Sequence, residues 1–338
     1  MQVDVLLGRT PLAEIPALAR TAEELGFDGL WTTESQHDPF IPLALASQTT
    51  SRLTLGTAIA VAFPRSPTIT AHTSWDLQAL SQGRFILGLG TQVRGHIERR
   101  FGLQWESPGP KLREYILALR AIWDCWQHGT PLSYTAKFYN LSLMTPFFSP
   151  GAIGHSRPPI YIAGVNPHMC RLAGELCDGF HVHPLHSVKY LREAVIPHVE
   201  EGARRAGRPR SAVTLFAPVF VVTGKNRQDM QAAKAAVKRQ IAFYASTRNY
   251  RPILDLHGWG EIGPILTQKA AAGDWEGMAG EITDTMLEEF AVVGPEEEIP
   301  ERLKARYTGL LDRLAFYHGY RPGERDPFWR QVIAALRA

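Results

Sequence analysis

Cysteine is scarce in this chain, and its three copies, Cys125, Cys170 and Cys177, fall at no CxxC or other metal-binding spacing. An odd number cannot all pair internally. A reducing, cytoplasmic compartment is therefore the simplest expectation. Long apolar runs are missing as well: none reaches the roughly 20 residues that a bilayer-spanning helix requires, so no membrane span is expected. The amino end, MQVDVLL, enters an apolar strand with no basic lead and no small-residue cleavage site, and export is not expected. Blocks of one charge sign are absent too. The 36 basic and 33 acidic residues are scattered and leave a net charge of +3. A nucleic-acid ligand would want a basic stripe, so none is expected. No internal repeat, low-complexity segment or hinge-like linker divides the chain, and one domain over residues 1–338 is expected.

What is present is an alternation of apolar runs with amphipathic stretches, in a chain of 338 residues that is 45% hydrophobic and 20% charged. That length can bury a large core. Residues 2–7 read as a strand and 11–25 as a helix, with Leu12, Ile15, Leu18, Ala19, Ala22 and Leu25 at helical spacing before Gly26 ends it. A second strand, FDGLWTTES, stops at polar residues, and a helix over 39–51 follows. The stretch from 53 to 102, LTLGTAIAVAFPRSPTITAHTSWDLQALSQGRFILGLGTQVRGHIERRFG, supplies strand (53–59), helix (67–81), strand (84–90) and a glycine-bearing loop. The helix over 111–128 is amphipathic, strands follow at 159–163, 179–183 and 213–223, and a last one is expected over 311–317.

These segments resemble one family, the luciferase-like flavin and deazaflavin oxidoreductases. The phrases AEELGFDGLWTTE, DLQALSQGRFILGLG and GVNPHMCRLAGELCDGFHVHPL carry the resemblance, and VGPEE is similar to a helix-starting signature of the family. The resemblance implies an α/β fold, a (β/α)8 TIM barrel with insertions at about 131–158 and 247–290. In such a barrel, residues just past the C-terminal ends of strands face the active site.

The site residues follow from that placement. Glu34 and His37, after the second strand, are candidates for proton handling, because a histidine changes charge near neutral pH. An alternative for His37 is a loop residue bonded to Asp38. Many relatives hold a histidine where this chain has Ser35, and the family's sugar-phosphate dehydrogenases hold a glutamate where it has Val93; a sugar phosphate is therefore not the expected substrate. The resemblance implies a non-prolyl cis peptide at Ala58–Ile59, with the cofactor ring against Thr57, Ala58, Ile59 and Ala60. Gly90, Thr91 and Gln92 would lie beside the cofactor's ribityl chain, Gln92 also serving as a hydrogen-bonding group in catalysis. Gly164, Val165, Asn166 and His168 are candidates to hold its phosphate, with Ala163 a further cofactor contact, since the first turn of a helix leaves N–H groups free and carries partial positive charge. His181 and His183 alternate onto one face of their strand as further cofactor contacts. No metal site is expected, because a pair of histidines without carboxylates is a poor ligand set.

Three functions stay open at this point. The first is hydride transfer between coenzyme F420 and a small, fairly hydrophobic organic substrate. The second is an FMN-dependent monooxygenase supplied with reduced flavin by a partner reductase. The third is a non-catalytic flavin-binding relative, motivated by Ser35 and Val93. The expected partners are a small-molecule substrate, a flavin or F420 reductase and a second copy of the chain, as luciferase-like barrels commonly pair. Phe40, Phe63, Phe147, Phe148 and Trp259 are the aromatic residues expected around the mouth, with Tyr250, Leu256 and His257 in a long excursion that reads either as a lid or as a helical subdomain for dimer packing.

Overall fold

The apolar runs become parallel strands: β1 (Gln2–Leu6), β2 (Gly29–Thr32), β3 (Thr54–Thr57), β4 (Phe85–Gly90), β5 (Ile160–Gly164), β6 (Gly179–Val182), β7 (Thr214–Val222) and β8 (Arg313–Phe316). The computed structural model describes residues 1–338. Each strand pairs in parallel with the next, and β8 returns to β1 through Gln2↔Arg313 and Val3↔Leu314, so the sheet closes as a (β/α)8 barrel. Every residue of β2, β4 and β6 is buried. That is why these strands read as continuous apolar runs rather than alternating ones. Short strands at Ala60–Val61 and Ala291–Val293 add to β4 and β7.

Helices α1 (Ile15–Leu25), α2 (Ile41–Ser47), α3 (Pro67–Leu80), α4 (Pro108–His128), α5 (Pro167–Leu176), α6 (Ile196–Arg205), α7 (Arg227–Ala245), α8 (Ile299–Tyr307) and α9 (Asp326–Arg337) form the outer layer. Their starts and stops have local causes. Ser66 and Asn166 cap α3 and α5 by accepting from the Ile69 and Met169 amides, and Gly26 ends α1 at φ 105°. The helix expected over 39–51 is confined to α2, and β3 stops two residues short of the expected Ile59. The reason for the second difference is Thr57. Its hydroxyl donates to the Gly88 carbonyl (2.7 Å) and accepts from the Gly88 amide (2.9 Å), taking over the backbone groups that would continue the ladder.

The lower half of the barrel is filled. Arg313 makes two 2.8 Å bonds to the Asp4 carboxylate, Trp31 donates its indole N–H to the same group, and the Trp31 ring stacks between Tyr161 and Phe216. Gly29 and Gly56 make this possible, since a Cβ would lie 2.6 Å from the Arg313 guanidinium and 2.3 Å from the Trp31 ring, respectively. Open space is left only toward the C-terminal ends of the strands.

Two excursions decorate the barrel. Residues 131–158 contain an antiparallel pair, Tyr134–Thr135 with Asn140–Leu141, and are tied to α3 by Trp75 and Gln78 donating to the Gly151 and Ser156 carbonyls. Residues 247–290 fold into short helices at Arg251–Leu256, Ile262–Ala271, Trp275–Gly280 and Asp284–Phe290, burying Leu266, Met278, Met286 and Phe290. No helix is long and apolar enough to cross a membrane.

Candidate active site

A cavity of about 370 Å³ opens at the C-terminal ends of the strands. It falls in the size range of small-molecule sites. Its first wall is the chain leaving β3. The Ala58–Ile59 peptide is cis, as the family resemblance implies, and both residues face the cavity. Gly88 and Gly90 permit this close packing: a Cβ on Gly88 would lie 1.8 Å from the Thr57 carbonyl, and one on Gly90 would lie 2.7 Å from the Ile59 side chain. Thr57 and Ala60 do not line the cavity. Both are buried, Thr57 spent on Gly88 and Ala60 paired in register with Leu89, so they support the wall rather than form its surface.

Glu34 clamps the same segment. Its amide donates to the Ile59 carbonyl, while its Oε2 accepts from the Val61 amide at 2.6 Å and from Arg65 at 2.7 Å. Arg65 in turn bonds Asp38 at 3.0 Å, and its neighbouring carboxylates raise its already high pKa against the opposing effect of burial. Glu34 lines the cavity, but this oxygen is fully engaged. His37 is exposed and lies outside the cavity, and Asp38 bonds the Phe40 amide and Arg65 instead of His37.

The second wall comes from Gly90, Thr91, Gln92 and Val93. Gln92 adopts φ 61° and its side-chain carbonyl accepts from the Val93 amide, so part of its hydrogen-bonding capacity serves the turn. A third wall is Ala163, Gly164, Val165 and Asn166 at the entry to α5. The amides of Val165 and Asn166 make no hydrogen bond within the chain, while the Val165 carbonyl accepts from the Tyr190 hydroxyl. His168 points away, against Gly109.

His181 and His183 both reach the cavity, in unlike ways. His181 is 4% exposed, ringed by Trp31, Tyr161 and Phe216, and neither ring nitrogen completes a hydrogen bond. Burial pulls its pKa down to about 3 against the opposing Thr57 carbonyl, with Arg313 acting in the same direction as burial, so the ring is neutral. His183 follows the strand, stacks on Tyr250 at 4.2 Å and meets Tyr244 edge-on at 4.5 Å. Its Nδ1 accepts from the Leu185 amide, and burial with the nearby His186 lowers its pKa to about 3. The neutral ring therefore carries its proton on Nε2. No group of three or more His, Cys, Asp or Glu side chains comes together to hold a metal ion.

The remaining wall was not foreseen. Phe216, Pro218, Tyr244, Asn249 and Tyr317 line it with Tyr250 and His183. Of the aromatic residues expected at the mouth, Phe40, Phe63, Phe147, Phe148 and Trp259 all lie elsewhere. Phe147 is 89% exposed on the outer excursion, and Trp259 stacks on His257, itself bonded to Ser187 behind the cavity. Tyr317 directly follows the last barrel strand, so the rule that strand ends face the site was signal enough to find it. Nothing local marks Tyr244, which sits on α7 one residue before its end at Ala245.

Such an arrangement, a barrel-end cavity with a flat backbone wall and a helix start at its rim, is a small-molecule site at the position where (β/α)8 barrels carry theirs. The family model for luciferase-like monooxygenases matches residues 2–313, and the chain belongs to that family. It is similar to an uncharacterized protein of Mycobacterium tuberculosis, 48% identical over 90% of this chain and 89% of the relative. It also matches the 5,10-methylenetetrahydromethanopterin reductase of Archaeoglobus fulgidus, 27% identical over 86% of this chain and 85% of that protein. Among solved structures, the coenzyme F420-dependent tetrahydromethanopterin reductase of Methanopyrus kandleri shares the fold with a TM-score of 0.79 at 21% identity, covering 99% of this chain and 98% of that one.

Proposed function

We propose that the protein is an oxidoreductase that uses coenzyme F420 for hydride transfer to or from a small, fairly hydrophobic organic molecule. The observation that carries this reading is that one cavity joins the Ala58–Ile59 wall to the free amides of Val165 and Asn166. A flat ring needs a surface without projecting side chains, and a phosphate needs N–H donors beside a helix start. The neutral ring of His181, which lines the cavity, offers it a polar edge. When bound, the deazaflavin supplies the hydride chemistry.

The chain's own residues position and exclude water. Ala58 and Ile59 back the ring, Gly90, Thr91 and Gln92 flank the ribityl chain, and Gly164, Val165 and Asn166 hold the phosphate. Glu34 keeps the ring-bearing segment in place through Val61 and Arg65. That assigns Glu34 positioning in place of proton handling, and it leaves His37 without a role in the cavity. The names of the Methanopyrus reductase and of a further Mycobacterium tuberculosis relative, a putative coenzyme F420-dependent oxidoreductase, support F420 over FMN. Titration of the purified protein with F420 and, separately, FMN, followed by tryptophan fluorescence, tests the reading. Preferential F420 binding is expected; preference for FMN would replace it with an oxygen-using monooxygenase served by a reductase, and binding of neither would remove the cofactor site.

A further inference from the structure

The wall formed by Tyr244, Tyr317, Tyr250 and His183 is made from side chains, unlike the three backbone walls. The hydroxyls of Tyr244 and Tyr317 lie 2.7 Å apart and face one another across the gap between α7 and the end of β8. Two phenols joined by one hydrogen bond have two protons and use one between them. The second proton is free to be donated, and both residues line the cavity. Around the pair the lining is apolar, with Phe216, Pro218 and Val182 nearby in the same cavity. No lysine or arginine lines it, and its one carboxylate, Glu34, is held by Arg65 and Val61. A carboxylate or phosphate substrate would enter without a countercharge. A neutral molecule needs none.

We propose that the Tyr244–Tyr317 hydroxyl pair receives the oxygen atom of a small, neutral carbonyl compound or its alcohol, and thereby selects and orients the substrate. This deepens the reading above and rests on it for the hydride partner, although the hydroxyl pair stands independently of which cofactor binds. A donor on the oxygen draws electron density from the carbonyl carbon, the atom that accepts a hydride. Burial raises the pKa of both tyrosines above the ordinary phenol value, so both are protonated donors near neutral pH. His183, edge-on to Tyr244 and stacked on Tyr250, fixes the ring that carries one hydroxyl. The tyrosines are positioned for binding whether F420 is present or not.

The probe is cyclohexanone labelled with 13C at the carbonyl, with cyclohexane and cyclohexanecarboxylate as shape-matched controls. Infrared difference spectra and calorimetric titration are recorded on the wild-type protein, on Tyr317→Phe and on the Tyr244→Phe/Tyr317→Phe double variant, each with and without F420. The expected result is a carbonyl stretch shifted to lower frequency in the wild type, with the shift lost in the double variant and ketone affinity reduced about tenfold, the equivalent of one good hydrogen bond. F420 affinity should stay within about twofold in all three proteins, which also shows that the variants are folded. An unshifted carbonyl in the wild type, the same spectrum in the double variant, or tighter binding of the carboxylate than of the ketone would overturn the proposal. A shifted carbonyl in a protein that fails to bind F420 would support the hydroxyl pair while removing the cofactor reading.

Discussion

The two sides of the cavity are built from different materials. On the side of β3, β4 and β5 the lining is backbone and small residues: Ala58, Gly90, Ala163 and Gly164. On the side of β6, β7 and β8 it is large side chains, Phe216, Tyr244, Tyr250 and Tyr317, drawn from segments up to a hundred residues apart in sequence. A backbone surface accepts any flat ring and depends on its neighbours being small. A side-chain surface discriminates, because each hydroxyl or ring rewards one kind of partner. The difference teaches that the binding of a common cofactor and the choice of a particular substrate can be carried by separate parts of one barrel end.

Acid should break the side-chain half first. His181 and His186 are fully buried, and burial lowers their pKa values to about 3 and about 4 from an ordinary 6.5. Both are neutral when folded and take up protons more readily when unfolded. Their contribution to stability is thus complete above pH 6.5 and lost as pH falls from there toward 4 and 3. Between pH 6.5 and 5 each should forfeit roughly 1.6 kcal/mol, and His183, whose pKa burial also lowers to about 3, adds a similar share, for about 5 kcal/mol from the three. Urea unfolding at the two pH values checks this, and His181→Phe should flatten the profile by about a third. An unchanged slope in that variant would show that His181 is not a source of the pH dependence.

On the backbone half the sharpest test is Gly88→Ala. The added Cβ would meet the Thr57 carbonyl at 1.8 Å, and main chain cannot step aside as a flexible side chain can. A loss of about 3 kcal/mol in unfolding free energy is expected from such overpacking, with F420 binding abolished. Wild-type stability in this variant would mean that β3 and β4 are not locked as described. Arg65→Met should come next, at about 2 kcal/mol, because it leaves the Glu34 carboxylate, 9% exposed, without its charged partner. F420 affinity should fall while the cyclohexanone carbonyl shift persists, and the reverse pattern would break the division between the two sides. The smallest effect belongs to Tyr317→Phe, which removes one hydroxyl and should cost about 1 kcal/mol in stability. Thermal unfolding measures it, and a large drop would assign Tyr317 to the core instead of the cavity.

Legibility in the sequence follows the same division. The β3–β4 side is local: GTAIA, GLGTQ and AGVN each lie within a few residues of a strand end, so a rule about strand ends places them. The structure brings Ala58, Ile59, Gly90, Thr91, Gln92 and the 163–166 turn into one cavity. Thr57 and Ala60 flank Ala58 and Ile59 and are buried behind the wall, Thr57 bonded to Gly88 and Ala60 paired with Leu89. The side-chain half resisted reading, since Tyr244 belongs to a helix and meets Tyr317 only where α7 crosses the rim. The exposed Phe147 and Phe148 show the opposite error, aromatic residues assigned to the mouth on composition alone.

What the sequence by itself determined is the order of strands and helices, the barrel, and the backbone segments at the strand ends that line the cavity, all of which depend on runs and turns a few residues long. Which side chains complete the cavity was decided by tertiary structure alone. One Glu34 oxygen is held in place by the reach of Arg65, and the tyrosine pair exists because two distant segments pack within 2.7 Å of one another. Periodicity and turn chemistry record what neighbours along the chain must do, whereas a contact across the barrel end is set by the packing of the whole.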